Sequence, residues 1–328
     1  MNLALFAVAI AFAVSFAATP LARKLALRFK VVARPGGRHV HSQVTPLWGG
    51  LSIYAGFVAA VTLAVFLFPG LKFDAQFLAI VGAATFIAVI GLLDDKYDFS
   101  PLIQIAAIVI ASLILVKAGI RIEYITNRLE SNQMLGLGAL SIPITVIWIF
   151  GVTKTIDLID GLDGLASGVC AIASTTLILM ALQARVLQPH LADSFTTVIL
   201  LCSALVGGCL GFLRFNFHPA KIFMGTVGAQ FMGFILAAAS IIGAFKMAAL
   251  FAIAVPVLAL GVPIFDAMFV VYRRFASKSP IAKADTGHVH HRLIKRGLSQ
   301  YQAVLLIYGM TFAFSIAALV IFKISTAR

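Results

Sequence analysis

Three aspartates spaced three apart, Asp157, Asp160 and Asp163, lie in the run Asp157-Leu-Ile-Asp160-Gly-Leu-Asp163-Gly-Leu-Ala-Ser-Gly. Carboxylates at that density repel one another unless a cation or a shared proton joins them. On a helix, the i, i+3, i+6 spacing would set them on about 120° of one face. Gly161 and Gly164 would let a ligand approach the backbone closely. A second acidic group reads Asp94-Asp95-Lys96-Tyr97-Asp98. Adjacent carboxylates suit a hard cation such as Mg2+, which takes oxygen ligands and is often completed by phosphates; on its own, such a pair is explained as well by solvated loop acids. A third group, Asn216-Phe217-His218-Pro219-Ala220-Lys221 with Gly225-Thr226-Val227-Gly228, joins an amide and a cation to a glycine-flanked helix start. The N–H groups of such a start can face a phosphate. A fourth, Asp285-Thr286-Gly287-His288-Val289-His290-His291-Arg292, sets three histidines within four residues. Those histidines suit a transition metal or phosphate oxygens, and carboxylates of the Mg2+ type beside them favour phosphate. The combined chemistry is phosphoryl transfer, in which a protein contributes mainly position and charge neutralisation.

The elements that must position these groups are membrane spans. The chain has 328 residues, of which 61% are hydrophobic and 11% charged, and a mean hydropathy of +1.04. That composition excludes a soluble globular domain. Apolar runs long enough to cross a bilayer, roughly 20 residues each, cover about 1–22, 47–68, 75–93, 101–118, 141–155, 164–183, 194–213, 226–244, 248–272 and 301–323. The first run lacks a small-residue cleavage site and reads as a retained span. Residues 121–140 alternate apolar and polar types with glycines, which predicts a short external β-hairpin. The expected fold is therefore an all-α polytopic membrane protein of about ten transmembrane helices, forming one domain over residues 1–328. Cys170, Cys202 and Cys209 all fall in apolar runs without metal-ligand spacing and read as small buried hydrophobes.

Ten spans leave nine loops on alternating sides. The odd loops hold most of the 25 Lys and Arg, concentrated in residues 23–38 and 273–296. The positive-inside rule makes those loops cytoplasmic and both termini external. The net charge of +13 thus reports topology and not a nucleic-acid partner. Nothing in that rule requires acids and histidines to join the bases. Yet Asp94, Asp95, Asp98, Asp157, Asp160, Asp163 and Asp285 gather on the same side, with Asp266 near it, as do His39, His41, His218, His288, His290 and His291. An active-site face on the cytoplasmic side would produce this. A transporter would instead place its charges mid-span, in broken helices.

With these motifs the chain resembles the polyprenyl-phosphate N-acetylhexosamine-1-phosphate transferases of the WecA/TagO type, relatives of phospho-MurNAc-pentapeptide translocase. The resemblance runs from Arg38-His39-Val40-His41 through Thr45-Pro46 and Gly49-Gly50 to Tyr308. It rests on Asp94-Asp95, Leu158-Ile159-Asp160-Gly161-Leu162-Asp163, Asn216 with Pro219-Ala220, Phe223-Met224-Gly225, Pro263-Ile264-Phe265-Asp266 and His288-Val289-His290-His291-Arg292. The resemblance implies transfer of a sugar-1-phosphate, most commonly N-acetylglucosamine-1-phosphate, from a UDP-N-acetylhexosamine to undecaprenyl phosphate, with release of UMP. It also implies Mg2+, or Mn2+ in its place, and a bacterial inner membrane, and it leaves a homodimer open. Direct attack and a two-step route both remain open. By position, the resemblance makes Asp94, Asp95, His290 and His291 catalytic, and Asp160, Asp163, Asn216, His288, Arg292 and His41 substrate-binding.

The departures concern the metal. Where the family carries a metal-ligand aspartate, this chain has Thr226, followed by Ala229 in place of a serine. Lys154 and Asp157 occupy two positions that are asparagine in the family, and Gln104 replaces a common lysine. One expectation is an active enzyme whose metal is held by Asp95, Asp157 and Asp160, with Asp157 replacing the missing carboxylate. The other is a weak or inactive relative that still binds lipid phosphate or nucleotide sugar.

Overall fold

The computed structural model describes residues 2–33, 44–71, 74–127, 133–245, 260–276 and 289–326. The helices are α1 (Leu3–Arg28), α2 (Gly50–Leu67), α3 (Ala75–Tyr97), α4 (Pro101–Lys117), α5 (Ser141–Ile159), α6 (Leu165–Leu187), α7 (Ala192–Asn216), α8 (Gly225–Phe245), α9 (Gly261–Ala276), α10 (Val289–Lys295) and α11 (Gln300–Thr326). Among the described residues, eight of them (α1, α2, α3, α5, α6, α7, α8 and α11) are long and apolar enough to cross a membrane. The chain is a multi-pass membrane protein. Apolar segments in lipid must satisfy every backbone group internally, and a helix does so. Two of the ten expected spans differ: α4 is a shorter apolar helix of 17 residues, and the run 248–272 falls partly outside the described residues and partly in α9.

Local chemistry sets several helix starts. The Asp74 side chain accepts from Phe77 N at 2.8 Å and caps α3. Pro101 opens α4, where its missing N–H costs nothing. Helix α8 is the most buried span, α1 and α11 the least. Helices α3 and α5 both pack against α8, and α2 joins them. Glycines permit the approach: a Cβ on Gly50 would lie 2.2 Å from Gly228 N, and one on Gly91 would lie 2.6 Å from Val227 Cα. Small residues at such crossings bring helix backbones together, and here they bring α2 and α3 onto the first turn of α8.

Two short antiparallel pairs complete the fold. Strands β1 (Val32–Ala33) and β2 (Thr45–Pro46) pair beside the start of α2. Phe223 N donates to Pro46 O at 2.8 Å, and Gly49 N returns a bond to Phe223 O at 2.9 Å, which ties this pair to the segment before α8. Strands β3 (Tyr124–Asn127) and β4 (Gln133–Gly136) pair with Tyr124 opposite Gly136. They follow the C-terminus of α4, whereas Asp94 precedes its N-terminus, so the two lie toward opposite ends of that helix.

The aspartate run does not form one helical face. Helix α5 stops at Ile159, Asp160 is its C-cap, and α6 starts at Leu165. Gly164 has φ +79, a conformation only glycine adopts cheaply, and its carbonyl accepts the Tyr308 hydroxyl at 2.6 Å. The three carboxylates therefore surround a turn.

Candidate active site

The ends of α3 and α5, the turn before α6, the end of α7 and the start of α8 enclose a cavity of about 670 Å3. Asp94, Asp95, Asp98, Asp157, Asp160 and Asp163 all line it, which is half of the chain's 12 acidic residues. Its described lining contains no lysine, arginine or histidine. The acids sit in last helical turns and in the turn after α5, not in long loops.

Asp95 faces the start of α8. Its Oδ1 accepts Thr226 N at 2.7 Å and its Oδ2 accepts Val227 N at 3.4 Å, and the Thr226 side chain also hydrogen-bonds it. A carboxylate there satisfies orphan helix donors and meets the positive end of the helix dipole. Gly225, at φ +75, makes room: a Cβ would lie 2.4 Å from Asp95 Oδ2. The N–H groups expected to face a phosphate are thus already taken by Asp95, and Thr226 supplies a donor where an aspartate would have repelled it.

Asp94 is buried, and its Oδ1 accepts Phe99 N at 3.1 Å and Gln104 Nε2 at 2.9 Å. Asp163 is buried too. Its Oδ2 lies 2.8 Å from His218 Nδ1 and accepts Ala220 N at 3.0 Å. Asp157, expected as a replacement metal ligand, pairs with Lys154, whose Nζ is 2.7 Å from Asp157 Oδ2. Asp160 lies just past the end of α5. Burial, then the charges of Asp157, Asp95 and Asp163, push its carboxyl up from 3.8 to about 8. Without a cation it stays protonated at neutral pH, and a cation beside it would favour the ionised form.

Asn216 lines the cavity, but its side chain serves the backbone: Oδ1 accepts Gly164 N at 2.9 Å and Nδ2 donates to Ile222 O at 3.0 Å. It braces the turn carrying Asp163 against the segment leading to α8. Asn216→Ala would leave both backbone groups unpaired and is expected to destabilise the fold by about 2–4 kcal/mol. Thermal unfolding in detergent checks this, and an unchanged midpoint would refute the bracing role.

Of the histidine segment, His288 and Asp285 lie outside the described residues, as does His41. His290, His291 and Arg292 fall on α10. Val289 N donates to the buried Asp266 at 2.7 Å, and Arg292 lies 3.9 Å from the same carboxylate and stacks 4.5 Å over Phe269. Asp266 therefore anchors α10 onto α9. Arg292 is not in the described cavity lining, and the side chains of His290 and His291 lie outside the described residues. The sequence places His218 in the third motif without giving it a role, and the motifs do not mark Gln230. A lone carboxamide within the apolar run of α8 is the available signal for Gln230.

Comparison with known proteins bears on this cavity directly. The model for glycosyl transferase family 4 matches residues 77–244, which contain all six lining aspartates. The chain is 38% identical over 308 residues to a Bacillus subtilis protein named "Probable undecaprenyl-phosphate N-acetylglucosaminyl 1-phosphate transferase", covering 92% of this chain and 80% of the relative. The chain belongs to glycosyl transferase family 4. It is 35% identical to the decaprenyl-phosphate N-acetylglucosaminephosphotransferase of Mycolicibacterium smegmatis, over 90% of this chain and 76% of that one. It is 31% identical to the phospho-N-acetylmuramoyl-pentapeptide-transferase of Desulforudis audaxviator, over 73% and 75% respectively. This family 4 member is a transferase of the WecA/TagO type.

Two features of the family 4 site bear on its ligands. Asp95 and Asp160 offer hard oxygen donors, but among the described residues no three His, Cys, Asp or Glu side chains converge as a ready ligand set. Magnesium needs only one or two carboxylates when phosphates and water complete its shell, so the donors fit such a cation. A second, apolar groove of about 680 Å3 lies between α5 and α9, lined by Ile147, Trp148, Thr155, Met268 and Tyr272 among others. Thr155 is two residues from Asp157, so α5 borders both spaces.

Proposed function

We propose that this protein transfers N-acetylglucosamine-1-phosphate from UDP-N-acetylglucosamine to undecaprenyl phosphate and releases UMP. A bond forms between a lipid phosphate oxygen and the sugar-bearing phosphorus, and the bond from that phosphorus to UMP breaks. The observation that carries this reading is the placement of an acid-lined cavity and an apolar groove on the same helix, α5. A polyprenyl chain fits the groove, leaving its phosphate beside the carboxylates.

Within this reading Asp94 activates the lipid phosphate, and Asp95 and Asp160 would hold Mg2+. The cation supplies charge neutralisation at the phosphates when bound. Asp163, fixed by His218 and Ala220 N, shapes the nucleotide end. The same reading assigns His290, His291 and Arg292, which lie on α10, the holding of phosphate or sugar. The site faces the cytoplasm of a bacterial inner membrane, because the basic loops follow the positive-inside rule.

The test is UMP release from UDP-N-acetylglucosamine with undecaprenyl phosphate, with and without Mg2+, beside several other UDP-sugars. Release that needs both lipid and Mg2+ is the expected result. No release with any UDP-sugar would refute the proposal.

A further inference from the structure

Behind the cavity, four helices meet in one polar cluster. Lys154 Nζ, on α5, donates to Asp157 Oδ2 one turn on and to Gln104 Oε1 on α4. Gln104 Nε2 donates to Asp94 Oδ1 on α3 at 2.9 Å. Gln230 Nε2, on α8, lies 3.4 Å from both Gln104 Oε1 and Asp157 Oδ2. Charged and polar groups in a span are costly unless paired, and in this cluster each side chain has a partner, although Gln230 Oε1 itself takes no bond among the described residues.

The order of donors is forced. An ammonium can only donate, so the carboxamide of Gln104 must turn its oxygen to Lys154 and its NH2 to Asp94. A cation on the amide oxygen also polarises the group and strengthens its N–H donor. Both bonds received by Asp94 fall on Oδ1, and among the described residues Oδ2 takes none. The carboxylate is thus held by one oxygen while the residue lines the cavity.

We propose that Lys154 is a positioning residue for Asp94, acting through the Gln104 carboxamide, with Asp157 as its counter-ion and not a cation ligand. This rests on the transferase reading above, in which Asp94 faces the lipid phosphate. Lys154 makes no direct contact with Asp94. Its effect is to decide which face of Gln104 that carboxylate meets.

The experiment compares kcat and KM of the full-length protein in detergent, with UDP-N-acetylglucosamine and undecaprenyl phosphate. Lys154→Met and Gln104→Leu should each lower kcat on the order of 100-fold, the scale of a misplaced reacting group. KM for the nucleotide sugar should change less than about threefold, because nucleotide binding is not at issue. The double variant Gln104→Lys with Lys154→Asn puts an ammonium directly against Asp94. It should recover kcat to within about tenfold of the parent, since the two positions are coupled. Wild-type kcat in Gln104→Leu, or a folded double variant no better than Lys154→Met, would overturn the proposal. Should Lys154→Met not fold, Gln104→Leu decides, because it keeps the Lys154–Asp157 pair. An inactive parent protein would count against the transferase reading and this inference with it. An active parent with unaffected variants would sink the inference alone.

Discussion

Asp95→Asn is expected to lower transfer on the order of 1,000-fold, the scale of losing a charged group that neutralises phosphates, while the fold persists. The reason lies in the two roles of Asp95. Its oxygens cap α8 through Thr226 N at 2.7 Å and Val227 N at 3.4 Å. Asparagine keeps an acceptor for the shorter bond and loses the charge at the helix N-terminus, a loss of about 1 kcal/mol. A shift of a few degrees in the unfolding midpoint should accompany the loss of UMP release. Alanine would remove the cap altogether and confuse the two effects, so asparagine is the informative variant. Transfer at the parental rate in Asp95→Asn would mean that the chemistry lies outside this cavity.

The second large effect concerns Asp160. Its carboxyl is raised from 3.8 to about 8, first by burial and then by Asp157, Asp95 and Asp163. In the cation-free protein the folded state therefore keeps a proton that the unfolded chain gives up near pH 4. Stability from this group is present below about pH 4 and is lost as pH rises toward about 8, at about 1.4 kcal/mol per unit. Asp160→Asn removes that dependence. Unfolding midpoints measured in detergent with a chelator should fall from about pH 5 to about pH 8 in the parent and fall less steeply in the variant. The variant should be the more stable of the two near pH 8. Adding Mg2+ should raise the parent's midpoint most at the alkaline end and leave the variant little changed. Transfer by the variant should drop on the order of 100-fold. Identical pH slopes in the two proteins would show that Asp160 does not experience the buried, acid-rich surroundings described.

Several parts of the site are legible in the sequence. The acid groups around Asp94 and Asp160 stand out because carboxylates are rare in this chain, and in lipid a rare charge needs a purpose. The departures at Gln104, Lys154 and Asp157 are visible one at a time. Their mutual contact is not, since Lys154 and Gln104 are 50 residues apart. The sequence suggests Asp157 as the replacement for a ligand missing at Thr226. Its pairing with Lys154 gives it another partner, and Thr226 donates to Asp95 in place of a carboxylate. The aspartate spacing suggests one helical face, and the end of α5 at Ile159, with Asp160 as its C-cap, breaks it. Asn216 reads as a substrate contact because it is an amide beside other candidate site residues. Only the bonds to Gly164 N and Ile222 O show what its two ends hold.

What the sequence by itself determined is the class of protein, the set of membrane helices apart from one shortened and one partly described, and the family. These are readable along the chain because a bilayer asks a one-dimensional question, whether some 20 consecutive residues are apolar. The tertiary structure alone decided which carboxylates are engaged and by whom: Asp95 by the start of α8, Asp163 by His218, Asp157 by Lys154, with Asp160 left among its neighbours' charges. A hydrogen bond requires its partners near 2.9 Å, and that distance is set where helices cross. Here it is the glycines on α2 and α3 that let those helices close on α8.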